Sequence, residues 1–84
     1  MDEKVQEQLD NLVPMLASFP DRVIKVQIGT PRADDRNLIF LSVEGTSVAG
    51  ALIYEAISGT DEDRLEAVGR WLRERGCKTV VVRS

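Results

Sequence analysis

The sequence predicts an α+β fold: a two-layer sandwich with the element order α-β-β-β-α-β, a mainly antiparallel sheet and both helices on one face. Three observations predict it: an amphipathic stretch near residue 1, three short strand-like segments, and a sharply delimited helix followed by a valine-rich segment. The 84 residues are 43% hydrophobic and 30% charged, which is typical of a globular domain. We expect residues 1–84 to form one domain.

The first element is an amphipathic helix over residues 2–19. Pro14 conflicts with an uninterrupted helix, because proline lacks the N–H of a helical hydrogen bond and its ring clashes with the preceding turn. We therefore expect either a kink at Pro14 or a helix that ends near Leu12 and restarts. The apolar positions at helical spacing are Val5, Leu9, Leu12, Val13 and Leu16.

Two antiparallel strands follow, at residues 22–28 and 38–44. In the first strand apolar and polar residues alternate, as in a strand with one buried face. In the second strand both faces are apolar, since Leu38 and Phe40 point to one side and three further apolar side chains point to the other. Those three are Ile39, Leu41 and Val43.

The second strand has more apolar surface than one layer of helices can cover. Two helices pack on only one face of a small sheet, so the other face needs a different partner. A second copy of the chain is the simplest partner for a domain of this size. The candidate interface consists of Leu38, Phe40 and Tyr54.

Residues 48–57 favour two structures. Their alanines, Leu52 and Glu55 favour a helix, whereas their β-branched residues and Tyr54 favour a strand. We prefer a strand that pairs with residues 38–44 across a short turn at Gly45-Thr46-Ser47. The alternative is a helix with Ser47 as its N-cap and Gly59 as its stop.

A helix between Thr60 and Gly76 is the best-defined element of the sequence. Thr60 is a suitable N-cap, three acidic residues fill the first turn, and Gly76 can adopt the left-handed conformation that ends helices. Gly69 interrupts this pattern at a cost of about 1 kcal/mol relative to alanine. We interpret Gly69 as a point of close packing on a strand, and the valines at 80–82 as the last strand.

Composition excludes several classes of function. The chain has no His, which removes His-based catalytic triads and the common zinc sites, and one Cys, which removes intrachain disulfides. Its net charge of −3 argues against general binding to nucleic acid. No apolar run is long enough to span a bilayer. We expect a cytoplasmic protein without cofactor or metal, and without enzymatic activity.

Two places offer weak chemical signals. Gly45, Thr46 and Ser47 are a candidate anion-binding turn through their N–H groups and hydroxyls, although a plain tight turn explains them as well. Cys77 lies beside Arg75 and Lys78, whose charges would lower the pKa of an exposed thiol. The alternative for Cys77 is a small apolar residue at the start of a strand. The paired acids Asp34 and Asp35 are expected to be solvated.

Gly50, Glu55, Gly59, the run from Leu72 to Gly76 and Val80 to Val82 carry a resemblance to a known group of domains. Residues 48–83 resemble the C-terminal half of small ferredoxin-like ligand-sensing domains of the NIL and ACT type. In those domains a strand, a short glycine turn and a helix ending in Arg-Glu-x-Gly precede a valine-rich strand. The resemblance implies a regulatory domain that senses a small ligand.

Three hypotheses for the function stay open. The first is a non-catalytic regulatory or protein-interaction domain that self-associates through its sheet, with a small ligand as a further partner. The second is an enzyme or carrier that uses Cys77 or the Gly45-Thr46-Ser47 turn. The third is an engineered sequence with no evolved activity, against which Pro14, Gly69 and Cys77 argue.

Overall fold

The structure, a computed structural model that describes residues 3–29 and 37–82, confirms the element order α-β-β-β-α-β. The β1–β2 connection with Asp34 and Asp35 lies outside the described residues. The elements are α1 (Glu3–Leu16), β1 (Ile24–Ile28), β2 (Leu38–Val43), β3 (Ala49–Ile53), a 3₁₀ turn (Tyr54–Ala56), α2 (Asp61–Glu74) and β4 (Thr79–Val81).

The four strands form one sheet in the spatial order β3-β2-β1-β4. β1 with β2 and β2 with β3 are antiparallel pairs, whereas β4 lies parallel to β1. The sheet is therefore mixed rather than purely antiparallel. The parallel pair follows from the connection, because α2 carries the chain from β3 across the sheet and returns it in the same direction at the far edge.

Both helices pack on one face of the sheet. A Cβ atom at Gly50 of β3 would lie 2.6 Å from Cδ2 of Leu12 in α1. A Cβ atom at Gly69 of α2 would lie 3.1 Å from Cγ2 of Val81 in β4. The strand register connects Gly50 to Val81 through one residue of each intervening strand, so both lie on the same face.

The hydrophobic core fills the space between this face and the two helices. α1 lies over β3, while α2 lies over β1 and β4. Leu9 and Val68 are fully buried at the centres of the two helices. The buried side chains are Val5, Leu9, Leu16, Ile24, Val26, Ile39, Leu41, Val43, Leu52, Ile57, Leu65, Val68, Trp71 and Leu72.

α1 continues through Pro14. It is one helix from Glu3 to Leu16, so the expected break near Leu12 is wrong. Pro14 stands in the last turn, where its missing N–H affects a single helical hydrogen bond. The Ser18 hydroxyl donates to the Pro14 carbonyl oxygen at 2.9 Å and satisfies one acceptor at the helix end.

α2 begins and ends where the sequence predicts. Thr60 Oγ1 accepts from the Asp63 N–H, and an Asp63 carboxylate oxygen accepts from the Thr60 N–H, each at 3.1 Å. This reciprocal pair is a capping box. At the other end Gly76 has φ of 82°, and the Cys77 N–H donates to the Leu72 carbonyl oxygen at 3.1 Å. That pattern is a Schellman motif, which glycine forms without steric cost.

Residues 48–57 form a strand and then a turn. β3 covers Ala49–Ile53 and pairs with β2, so the strand prediction is right for this part. Tyr54–Ala56 form the 3₁₀ turn, and the strand prediction is wrong there. The alternative of a helix from Ser47 to Gly59 is wrong over the whole segment.

We predict that the close contact between residue 69 and Val81 reduces the stability that Gly69→Ala would otherwise add to α2. Gly69→Ala should stabilise the Val81→Ala protein by about 1 kcal/mol, because alanine favours the helix by that amount and the opposing Cγ2 atom is gone. In the unmodified protein the gain should be smaller, since the new methyl group presses on Val81. Urea unfolding of the unmodified protein, the two single variants and the double variant gives the coupling free energy between positions 69 and 81.

Val80→Ala is the matched control, because Val80 points to the other face of the sheet. It should leave the effect of Gly69→Ala unchanged. Equal gains from Gly69→Ala with and without Val81 would contradict the packing explanation for this glycine.

Candidate interaction surface

Every second strand residue points away from the helices, and we call this surface the open face. No described helix packs against it. Register assigns its members strand by strand, because paired residues share a face. They are Ala49, Ala51 and Ile53 of β3, Leu38, Phe40 and Ser42 of β2, Lys25 and Gln27 of β1, and Val80 of β4.

The apolar part of the open face lies over β2 and β3. Leu38 is opposite Ile53, and Phe40 is opposite Ala51, so four apolar side chains form two adjacent cross-strand pairs. Ile53 is 53% exposed, while Leu38 and Phe40 are half-buried. Over β1 the face becomes polar. This arrangement, an apolar patch beside a polar border, is the surface pattern of protein contact sites.

The polar border contains one ion pair. Lys25 Nζ lies 3.8 Å from Glu44 Oε1, and both side chains are about half exposed (44% and 55%). At such exposure the pair contributes little to stability. Its effect is to separate the apolar patch over β2 and β3 from Val80, which is 49% exposed on the outer strand β4.

Tyr54 does not lie on the open face, although the sequence analysis grouped it with Leu38 and Phe40. Its hydroxyl donates to Asp61 Oδ1 and accepts from Arg64 Nη1 at 2.6 Å. The Arg64 guanidinium also lies 3.8 Å from the centre of the Tyr54 ring, in a cation–π contact. Ile53 lies on the open face, so strand alternation already directs the next side chain, that of Tyr54, towards the helices. Tyr54 therefore connects β3 to the first turns of α2.

In the Gly45-Thr46-Ser47 turn, Thr46 uses its polar groups within the hairpin. Thr46 Oγ1 donates to the Val43 carbonyl oxygen at 2.9 Å and accepts from the Val48 N–H at 3.1 Å. The Thr46 N–H also donates to the Val43 carbonyl oxygen at 3.1 Å. Gly45, with φ of 79°, takes the left-handed position of the turn. The expected anion-binding groups of Thr46 are thus engaged in closing the β2–β3 hairpin.

Cys77 lies between the end of α2 and β4 and is partly buried. Burial raises the pKa of its thiol above the ordinary value, and the Arg75 guanidinium offsets this only in part. The direction is the opposite of the one expected from the neighbouring charges in the sequence. Arg75 itself stacks on Trp71, with its guanidinium 3.4 Å from the ring centre. The arrangement favours a packing role for Cys77 over a nucleophilic one.

The concavity at the N-terminus of α2 does not favour an anionic ligand. It has a volume of about 390 Å³ and lies at the first turn of α2 beside the ends of β1 and β4. Asp61 and Glu62 line it, so their carboxylates oppose the anion that a helix N-terminus would otherwise attract. Among residues 3–29 and 37–82, no group of three or more His, Cys, Asp or Glu residues could hold a metal ion.

Sequence reasoning did not assign Ala49, Ala51, Ile53 and Val80 to the open face. β3 has the sequence AGALI, which contains no polar side chain, so no alternation of polarity marks its two faces. Polarity is the property that sequence patterns detect most readily. Position on the open face follows only from the register with Leu38 and Phe40.

We predict that Tyr54→Phe lowers the free energy of unfolding by about 1 kcal/mol, because it removes a hydroxyl that bonds to charged groups of α2. The ring and its contact with Arg64 remain. Urea unfolding measures the change. Glu55→Ala, at an exposed neighbour in the same turn, should change stability by less than about 0.5 kcal/mol. Equal stability of Tyr54→Phe and the unmodified protein would contradict a structural role for the hydroxyl.

We predict that the Cys77 thiol is less reactive at neutral pH than an unstructured thiol. A raised pKa leaves a smaller fraction of thiolate, and the thiolate is the reactive form. The alkylation rate with iodoacetamide, measured against pH, should have its midpoint above that of the urea-unfolded protein. A midpoint below the unfolded one would revive the nucleophile hypothesis.

No described helix is long and apolar enough to cross a membrane. Comparisons with protein-family models, with curated proteins and with solved structures found no match to this chain. The geometry of the open face is therefore the main basis for a functional proposal.

Proposed function

We propose that this protein is a non-catalytic interaction domain that self-associates through its sheet. The observation that carries the proposal is the apolar patch of Leu38, Phe40, Ala51 and Ile53 on a face that no described helix covers. Burial of apolar surface contributes roughly 25 cal/mol per Å², so covering this patch favours association. The proposal places the function on a surface rather than in a cavity.

A second copy is the partner that the proposal names. Two open faces that meet around a two-fold axis bury the same patch on both chains, which is the arrangement of most homodimers. The strip with Lys25 and Glu44 then becomes the polar rim of the contact. Packing of two sheets face to face also places both pairs of helices on the outside, at the usual sheet separation of about 10 Å.

We further propose that a small ligand regulates this domain and that the domain lies in the cytoplasm. The ligand is part of the proposal through the resemblance of residues 48–83 to NIL- and ACT-type sensing domains. Neither Cys77 nor the Gly45-Thr46-Ser47 turn supports the competing enzyme hypothesis, since the thiol pKa is raised and Thr46 is engaged in its turn. A single cysteine suits a reducing compartment, and we propose the cytoplasm.

We predict that Phe40→Lys lowers the mass of the assembly seen by sedimentation in the micromolar range. A lysine at this position brings a charge into the centre of the contact, and leaving it buried and unpaired is costly. Circular dichroism should show an intact fold, because Phe40 points away from the core.

The matched control is Met15→Lys. Met15 is an exposed apolar residue (38%) on α1, away from the open face. It should leave the sedimentation profile unchanged. Identical masses for the unmodified protein and Phe40→Lys would sink the proposal that the open face is a self-contact.

A further inference from the structure

Among residues 3–29 and 37–82, no strand pairs with the outer edge of β3. β3 is the last strand of the sheet on its side. The Val43 N–H donates to the Val48 carbonyl oxygen at 3.0 Å, and the Tyr54 N–H donates to the Asn37 carbonyl oxygen at 2.9 Å. These two bonds lie at either end of β3. Because hydrogen-bonded and non-hydrogen-bonded pairs alternate along an antiparallel ladder, they determine which residues of β3 bond to β2 and which face outward. The three residues whose N–H and C=O groups face outward are Ala49, Ala51 and Ile53.

This edge lacks the usual protection against pairing. Natural edge strands carry charged residues or proline, or a bulge that twists the edge away. β3 has the sequence AGALI, and no charged residue occurs between Glu44 and Glu55. The opposite edge of the sheet differs, since β4 has only three residues and Arg73 Nη2 donates to its Thr79 carbonyl oxygen at 3.3 Å.

We propose that the β3 edge pairs antiparallel with the β3 edge of a second copy, with Ala51 on the two-fold axis. The edge is self-complementary in this register, because its outward-facing residues lie symmetrically about Ala51. Ala49 then stands opposite the partner's Ile53, and Ala51 opposite the partner's Ala51. Each of the three pairs exchanges two hydrogen bonds, so all six outward groups of each chain find partners.

Side chains favour the same pairing. Across the axis two alanines meet, and on each side of it an alanine meets an isoleucine, so no like charges and no bulky pair oppose each other. Ala49 and Ala51 are exposed, so both side chains are available for contact with a second copy. The product is one sheet of eight strands, in which both sets of helices lie on the same side.

The edge contact is a second self-association surface, distinct from the open face. It rests on the proposed function in one respect, because it requires that copies of this chain associate. Because the axis of the edge contact is perpendicular to the sheet, the two open faces lie side by side. Edge and face contacts can therefore operate together in one assembly, and the Phe40→Lys protein isolates the edge contact.

The Phe40→Lys protein should sediment as a dimer, and adding Ala51→Pro should convert it to a monomer. Proline at position 51 removes an N–H that points away from the described sheet, and edge strands tolerate proline at such positions. A Phe40→Lys protein that is monomeric throughout the micromolar range would overturn the edge contact. A Phe40→Lys protein with the unmodified mass would overturn the face contact alone.

Cysteine cross-linking tests the register without proline. In a Cys77→Ser, Phe40→Lys background, Ala51→Cys should form an intermolecular disulfide on mild oxidation, because paired Cα atoms lie about 5.5 Å apart, within disulfide range. Ala49→Cys alone should not, since its symmetry mate lies about 14 Å away along the strand.

A mixture of the Ala49→Cys and Ile53→Cys proteins should form the mixed disulfide, because these positions face each other in the proposed register. Cross-linking of Ala51→Cys together with this mixed product supports the two-fold axis at Ala51. Equal cross-linking of all single variants, or none by Ala51→Cys, would overturn the register.

Discussion

Both helices of this protein pack against the same face of its sheet, and strand alternation determines which residues that face contains. Gly50 and Gly69 allow the close approach of α1 to β3 and of α2 to β4. The two helices together cover all four strands from one side. Strand alternation therefore also determines the other face. The residues between the core positions of each strand are exposed or half-buried there, whether polar like Lys25 or apolar like Ile53.

Much of the fold could be predicted because local signals agree with the tertiary structure. Thr60 and Gly76 delimit α2, and the alternation in β1 identifies its buried face. Local rules fail where packing overrides them. Pro14 remains in α1 because only the last turn is affected, while the buried residues before and after it hold the helix on the sheet. The turn at Tyr54 has no distinctive sequence, since its residues suit a strand or a helix equally well.

The candidate site could be predicted only in part. Leu38 and Phe40 indicate an apolar patch on the open face, because the sequence of their strand is apolar on both sides. The contribution of β3 depends on register, which is a relation between two segments and is absent from either one alone. The side-chain direction of Tyr54 likewise follows from the register of β3 with β2, and Cys77 lies beside Leu16 and Phe19, which are distant in sequence.

The parallel pairing of β4 with β1 also determines the order in which the sheet can be completed during synthesis. Ile24 pairs with Thr79, so the second edge of β1 is covered only after the whole of α2 and the residues of β4 have been synthesised. The β1–β2–β3 meander needs no such wait, because its contacts are closer in sequence. On the ribosome, β4 reaches the folding chain only after its residues leave the exit tunnel. Until then the edges of the partial sheet are β3 and β1. In the complete sheet β1 is covered, and the edge on that side is the short β4, to which Arg73 donates a hydrogen bond.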